Sequence, residues 1–370
     1  MFGGTQSAAY YLSRIENPDL TWEKTFLANL GIDFSILKGR LKFNLDAYHS
    51  YTTDLLLSVQ TVASTGFNSR FTNLGRTTNS GVELTIDSRN IDKKNFSWST
   101  TFTISHNRQM VNDIGNENYV ATLSSWGSNS FMMYGYKKGY PLNSLWGFQY
   151  AGPWQNLEQL ERNLYTQSYV SSALASEENL GALLGHPKYV DQNKDGVLSE
   201  KDLVYLGNSD PVLYGGLNNV FHWKRFKFSF YFIYSLGGKI YNYSEMFMGG
   251  GYSTNQYRYM LDCWHPVRNP DSMHPKAGIG YNLMPSDRQV HDASYLRLKT
   301  LSVEYVFPIK ARWMKDITVG AVGENLFLWA PYNGYDPDVS SSGSGTNLRR
   351  VDMNAQPRAR TVTLSLKLRF

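Results

Sequence analysis

The 370-residue sequence contains one cysteine, and no run of 18 apolar residues occurs in it. A lone Cys263 excludes an internal disulfide and a thiolate metal cluster, and the missing apolar run excludes a membrane-spanning helix. The seven histidines show no HExxH spacing, and no acidic pair indicates a glycosidase centre. Without these motifs we do not expect an enzyme. The net charge of +5 is spread along the chain without a basic block, so we do not expect nucleic-acid binding either.

The start of the chain also lacks a secretory signal peptide. Residues Met1 to Thr5 provide neither a charged region nor a following apolar region. Because an exported protein needs such a signal, we expect the sequence to be a mature form, a truncated form or a fragment of a longer chain.

Alternation of apolar and polar residues is the strongest pattern that is present. Every even position from Val362 to Phe370 is apolar, and every odd position from Thr361 to Arg369 is polar or charged. Since successive strand residues point to opposite faces, this strand has one apolar face and one polar face. The pattern suits a barrel wall between lipid and water, with Phe370 in an interfacial aromatic girdle, although a soluble β-sandwich can alternate in the same way.

The same alternation recurs along the chain, and the connections between the candidate strands alternate in length. Long connections in outer-membrane barrels lie outside, and short turns face the periplasm. The pattern requires about eleven strands, the first near Phe26, which is half of a 22-stranded transporter barrel. It predicts an all-β, antiparallel transmembrane barrel wall whose lipid face includes Val362, Leu364, Leu366, Leu368, Phe228 and Phe230. The short turns are predicted at about residues 37–40, 89–95, 138–143, 223–225 and 308–315, and the long loops at about 59–75, 108–129, 153–211, 238–291 and 329–360.

One motif has the spacing of a calcium loop, running from residue 191 to residue 202. Its predicted ligands, at positions 1, 3, 5, 7, 9 and 12, are Asp191, Asn193, Asp195, the carbonyl of Val197, Ser199 and Asp202. Gly196 at position 6 permits the sharp turn, while an Asp at position 12 replaces the usual Glu. We predict a structural calcium ion here, with a metal-free turn closed by its own side chains as the alternative. Five aromatic residues could stack on sugar rings, but packing in a girdle or loop is the stronger interpretation: Trp329, Tyr332, Tyr335, Tyr241 and Tyr243.

Several motifs, in order along almost the whole chain, resemble those of the SusC/RagA-type TonB-dependent outer-membrane transporters of Bacteroidetes. The matching segments are Asn17 to Thr25, Asn79 to Leu84, Tyr189 to Gly196, Gly207 to Gly216, Ala293 to Leu298, Glu324 to Phe327, Tyr332 to Asp338 and Pro357 to Arg360. The resemblance implies that residues 1–370 form the C-terminal half of the transporter barrel, with long extracellular loops. The family's N-terminal plug domain and TonB box have no counterpart in this sequence.

The resemblance also implies a function and partners. The family imports oligosaccharides, or sometimes peptides, across the Gram-negative outer membrane together with a SusD-like surface lipoprotein. In the whole protein TonB would act through the N-terminal region, and the barrel wall would contact outer-membrane lipid. The alternative from another class is a secreted, calcium-dependent carbohydrate-binding β protein, which would be soluble without detergent.

Overall fold

The computed structural model describes residues 16–60, 67, 69–115, 120–126, 129–162, 181–196, 198–250, 255–278, 283–311, 313–340 and 350–370. Strands dominate these residues, and the helices are short. The strands are β1 Lys24–Ile36, β2 Leu41–Gln60, β3 Ser69–Lys93, β4 Phe96–Ile114, β5 Val120–Trp126, β6 Asn129–Tyr136, β7 Ser144–Gly147, β8 Tyr150–Pro153, β9 Pro187–Tyr189, β10 Val204–Asn208, β11 Leu213–Trp223, β12 Phe226–Leu236, β13 Lys239–Asn242, β14 Val290–Asp292, β15 Tyr295–Ala311, β16 Met314–Trp329, β17 Val351–Asp352 and β18 Thr361–Arg369. The helices are α1 Leu157–Arg162 and α2 Ser244–Met248, with 3-10 turns at Glu200–Asp202, Arg258–Asp262 and Asp287–Gln289.

Nine of the strands form one antiparallel sheet, here called the wall. Its order is β1-β2-β3-β4-β11-β12-β15-β16-β18, and every neighbouring pair is antiparallel. Each strand has at least nine residues, which is enough to cross the hydrocarbon layer of a bilayer when tilted. The sheet is open, with β1 and β18 as its edges.

The strand register gives the wall one apolar face and one polar face. Phe228 on β12 lies opposite Val303, which lies opposite Ala321, which in turn lies opposite Leu364 on β18. The six residues predicted to face lipid all fall on this side of the wall. On the other face, cross-strand rows are polar; one such row is Lys42, Asp87, Thr101 and Asn218.

Aromatic rings gather on the apolar face near the short-turn end of the wall. Trp98 stacks on Phe221 with ring centroids 5.5 Å apart, and Trp223 stacks on Phe226 at 5.9 Å. The terminal Phe370 stacks on Trp313 at 6.1 Å. Phe370 therefore belongs to a group of aromatic side chains at one rim, in the position that an interfacial girdle requires.

The long connections fold into a second region, here called the loop assembly, which comprises the described residues of 115–212, 237–294 and 330–360. It contains a four-stranded sheet β10-β7-β6-β5, a three-stranded sheet β14-β13-β17 and the pair β8-β9. The three buried apolar clusters of the described residues all lie here, around Leu145 and Tyr241, around Phe148 and Leu198, and around Ile240 and Tyr332.

The all-β antiparallel fold, the strand near Phe26 and the short turns agree with the sequence predictions. The strand count differs, because the wall has nine strands among the described residues rather than about eleven. The turn predicted at 138–143 does join two paired strands, β6 and β7, but these belong to the loop assembly. A strand of four residues such as β7 is too short to cross a bilayer, and all four of its residues are buried. No helix of the described residues has both the length and the apolar character to cross a membrane.

Candidate functional site

A cavity of about 500 Å³ opens on the polar face of the wall, where β4, β11, β12 and β15 meet the loop assembly. Its floor is a row of four residues held opposite one another across these strands. Ser105 pairs with Tyr214, Tyr214 with Ser235, and Ser235 with Tyr295. Thr103, Asn107 and Tyr231 extend the lining, so that hydroxyls, an amide and aromatic rings face the same space.

Two glycines of β11 make room for the tyrosines of β12. A Cβ on Gly216 would come within 2.7 Å of the Tyr231 ring, and a Cβ on Gly215 would lie 2.8 Å from the Tyr234 hydroxyl. The Tyr234 hydroxyl donates a hydrogen bond of 2.9 Å to the carbonyl of Thr103 across the glycine strand. Gly216 therefore makes room for the Tyr231 ring at the cavity, and Gly215 makes room for Tyr234, whose ring stacks on Phe102 on the apolar face.

The loop assembly provides one cation and one anion to the cavity. Arg350 donates a hydrogen bond of 2.9 Å from Nη2 to Ser235 Oγ. Asp210 accepts a hydrogen bond of 2.7 Å from Asn143 Nδ2. The site thus offers hydrogen-bond donors, acceptors and aromatic faces, which are the groups that bind polar oligomers such as sugars or peptides.

Where β15 meets the 330–360 connection, a network of ion pairs joins the sequence motifs at residues 293–298, 332–338 and 357–360. Arg297 of β15 donates to Asp336 at 2.6 Å, and both side chains are almost completely buried, at 3% and 2% exposure. Asp338 lies 4.0 Å from Arg297 and 2.8 Å from Arg358. Asn325 also donates from Nδ2 to the carbonyl of Ala359 at 3.1 Å. These contacts fix both ends of the long 330–360 connection to the wall.

A second polar group lies inside the loop assembly. The Tyr332 hydroxyl donates to Asp352 Oδ2 at 2.6 Å, and His291 Nε2 lies 3.1 Å from Glu245 Oε1. Burial, together with the hydrogen bond to Asp352 and its negative charge, raises the pKa of Tyr332. The phenol therefore stays protonated and acts as a hydrogen-bond donor that ties the 330–360 connection to β17.

The 191–202 loop is closed by its own side chains. Asp191 accepts hydrogen bonds from the backbone N–H groups of Lys194 and Gly196 at 2.7 and 2.9 Å. The fully buried Asp202 accepts from the backbone N–H groups of Gln192 and Ser199 at 2.9 and 2.7 Å.

These bonds fit the Asx-type turn, and they saturate the carboxylate at position 12. Asn193 and Asp195 remain exposed, whereas Val197 lies outside the described residues. Across the described residues, no group of three or more His, Cys, Asp or Glu side chains is arranged to hold a metal ion. Calcium binding by Asp191, Asn193, Asp195, Ser199 and Asp202 stays a prediction.

The five aromatic candidates divide between packing and exposure. Tyr241, Tyr243 and Tyr332 are buried in the loop assembly, so they pack rather than bind, whereas Trp329 and Tyr335 are exposed. Sequence reasoning missed Tyr231 and Tyr295 as members of the cavity. The signal for Tyr231 was its alternation with Phe230 and Phe232 on β12, which places it on the polar face.

Known proteins are similar to this chain in sequence and in fold. Residues 1–179 match the family model described as TonB dependent receptor-like, beta-barrel. TonB-dependent receptor P26 of Formosa agariphila is 31% identical over 99% of this chain, and TonB-dependent receptor SusC of Bacteroides thetaiotaomicron is 29% identical over 96%. The chain is thus similar to TonB-dependent receptors over almost its whole length, and its first 179 residues match their barrel domain. It spans about a third of the length of these relatives, 36% of P26 and 32% of SusC.

The solved structure of the RagAB peptide transporter has the same fold as this chain. The TM-score is 0.72 at 22% identity, over 96% of this chain and 36% of that one. The open-open state of the RagAB peptide importer gives 0.73 at 23% identity. The resemblance to the SusC/RagA family is confirmed, and so is the prediction of a receptor or transporter barrel rather than an enzyme.

Proposed function

We propose that this chain forms part of the barrel wall of an outer-membrane importer, which takes up oligosaccharides or peptides by TonB-dependent transport. The observation that carries the proposal is the two-sided wall. Its apolar face continues from Phe34 on β1 through Phe43, Ile86 and Phe102 to Leu217 on β11. A sheet with one apolar and one polar face, on whose apolar side none of the described segments is packed as a second layer, matches a lipid-facing barrel wall.

The cavity on the polar face supports a polar oligomeric substrate. Tyr214 and Tyr231 are each 37% exposed there, so their rings are available for stacking against a sugar ring or a peptide side chain. Ser105, Asn107 and Arg350 add hydrogen-bonding groups around them. No covalent step on the substrate is proposed, since import needs binding and release rather than bond cleavage.

Different parts of the chain would contact different partners. The loop assembly would contact a SusD-like surface lipoprotein, and the apolar face would contact the lipid of the Gram-negative outer membrane. TonB would supply energy through a region outside this sequence. The secreted carbohydrate-binding alternative loses support because it does not account for a nine-stranded sheet whose apolar face is left uncovered by the described residues.

The test uses the whole natural protein in its own host. The gene is deleted, and growth is compared on a panel of oligosaccharides and on peptides as carbon or nitrogen sources. Deletion should abolish growth on one class of nutrient, and the wild-type gene should restore it. A Tyr214→Ala/Tyr231→Ala double variant should reduce uptake about tenfold at unchanged surface level, which is the loss expected for removed ring contacts.

Tyr335→Ala is the matched control, because Tyr335 is exposed but lies outside the cavity. It should leave uptake at the wild-type level. Unchanged growth of the deletion strain on every nutrient, or recovery of the protein from the culture medium in soluble form, would contradict the proposal.

A further inference from the structure

A groove of about 290 Å³ lies on the apolar face of the wall, beside the turn that joins β11 to β12. It is lined by Phe221, Trp223, Phe226, Phe228 and Val303, and none of these side chains is charged. Trp223 is 55% exposed. Among the described residues, nothing from the loop assembly covers this part of the wall.

The groove is held open by aromatic contacts between neighbouring strands. The Trp223 and Phe226 rings stack at 5.9 Å with an interplanar angle of 17°, and Phe221 contacts Phe228 at 5.9 Å. Phe226 is further supported by Tyr305, 4.4 Å away. Because each ring is braced by another, the groove is a preformed surface rather than one that a ligand must open.

Cations stand at the end of this groove. Lys224 and Arg225 form the β11–β12 turn, and Lys93 and Lys94 belong to the neighbouring β3–β4 turn. The two turns are joined by a hydrogen bond of 2.9 Å from the Lys224 N–H to the carbonyl of Asn95. The Lys224 ammonium lies 5.8 Å from the centroid of the Trp223 ring, which places a positive charge at the rim of the groove.

The charge of the two turns is unbalanced. All four cations are exposed, and the described residues contain no salt bridge to any of them. Asp92 is the carboxylate of these turns, and it is exposed as well. An apolar groove that ends at an unpaired cationic cluster is complementary to a ligand with an apolar chain and an anionic head.

We infer that the groove and the β11–β12 turn bind one acidic glycerophospholipid, with an acyl chain against Phe221, Phe228 and Val303 and the phosphate at Lys224 and Arg225. The inference rests on the proposed function, because it requires the apolar face to lie in a bilayer. A phosphate binds well to such cations through charge-assisted hydrogen bonds. An acidic headgroup gains more than a zwitterionic one, whose own ammonium is repelled by four neighbouring cations.

The test is native mass spectrometry of the whole natural protein, purified in detergent and titrated with phosphatidylglycerol or phosphatidylethanolamine carrying identical acyl chains. The wild type should retain phosphatidylglycerol preferentially. Lys224→Gln/Arg225→Gln should weaken that retention by about fivefold for each cation removed. Val303→Phe, which fills the groove, should weaken the binding of both lipids.

The matched control is Lys38→Gln/Lys315→Gln, which removes two exposed cations from the same end of the wall but away from the groove. It should bind phosphatidylglycerol as the wild type does. Gel mobility before and after heating checks that each variant is folded. Equal retention of both lipids by the wild type, an equal loss in the control, or unchanged binding by Val303→Phe would each overturn the inference. A protein that is soluble without detergent and retains neither lipid would instead show that the proposed membrane function has failed.

Discussion

The wall and the loop assembly differ in how far their apolar side chains are exposed. In the loop assembly, Leu145 and Leu283 are at most 1% exposed and share one apolar cluster, and Ile240 is fully buried in another. In the wall, Leu364 and Leu366 are 79% and 67% exposed, and none of the described strands forms a second layer over their face. The loops therefore bury apolar surface in a protein core, whereas the wall would bury it in lipid under the proposed function.

The charged side chains of the chain also differ in how far they are buried. Where β15 meets the loop assembly, the buried Arg297 is paired with the buried Asp336 of the 330–360 connection. Away from the loops, the polar face of the wall carries charges such as Lys227, which lies 3.8 Å from Glu304, and both remain partly exposed. Removing one partner of a buried ion pair, or placing a charge on the apolar face of the wall, should therefore lower the stability of the folded protein.

Arg297→Ala should destabilise the loop assembly by about 3–5 kcal/mol, because it leaves Asp336 as a buried charge without its partner. Hydrogen exchange of residues 330–340 in the whole protein measures this loss. Arg358→Ala is the control, since Arg358 pairs with Asp338 but is 46% exposed; its effect should stay within about 1 kcal/mol. Equal exchange in the two variants would show that the buried pair is not an anchor.

Leu364→Arg should destabilise the wall by about 2–4 kcal/mol, because it places a charge on the lipid face in the middle of β18. Thr363→Arg, one residue away on the polar face, should be tolerated. Urea titration of the folded protein in lipid vesicles compares the two. A larger loss from Thr363→Arg would reverse the assignment of the faces.

The loop assembly should lose stability in acid through His186. Burial, followed by the nearby charge of Lys276, lowers the pKa of His186 from its ordinary value of 6.5 to about 4. The unfolded chain then takes up a proton before the folded one does, so stability falls as the pH drops from 6.5 to about 4. At about 1.36 kcal/mol for each pKa unit, the loss amounts to about 3 kcal/mol.

His186→Gln should remove this slope, and His222→Gln on the exposed end of β11 should keep it. Thermal melts of the whole protein between pH 4 and pH 7 measure both. An unchanged slope in His186→Gln would assign the acid sensitivity to other groups.

The smallest effect is expected at the 191–202 loop. If calcium binds there, a concentration ten times the Kd should stabilise the loop by about 1.4 kcal/mol, and Asp195→Ala should abolish that gain. Asp202→Ala should destabilise the loop with or without calcium, because the Asp202 carboxylate accepts hydrogen bonds from the backbone N–H groups of Gln192 and Ser199. Protease protection of residues 181–210 with calcium or with a chelator distinguishes the two roles. Absence of any calcium effect in the wild type would leave the metal-free turn.

Sequence patterns predicted the wall better than the loop assembly, and the reason is periodicity. Strands that face lipid on one side must alternate over their whole length, as β18 does, so a local pattern is sufficient. The four-residue β7 is buried on both faces, so no alternation distinguishes it from a spanning strand. This is why about eleven strands were expected and nine are found in the wall.

The loop contacts depend on residues far apart in sequence. Arg297 and Asp336 are 39 residues apart, and each stands within a motif of the family resemblance, but neither motif indicates that they pair. The cavity likewise needs Tyr214, Ser235 and Tyr295 from three strands. Their opposition is set by the register, which the sequence of one strand does not specify.

The central claim, that one face of the wall meets lipid and the other meets water, is tested most directly by a cysteine scan of residues 361–370. The whole natural protein, carrying Cys263→Ser, is labelled in outer membranes with a water-soluble maleimide and with a lipid-soluble one. Odd positions from Thr361 to Arg369 should react with the water-soluble reagent, and even positions from Val362 to Leu368 with the lipid-soluble one. Labelling of every position by the water-soluble reagent, without a period of two, would contradict the account.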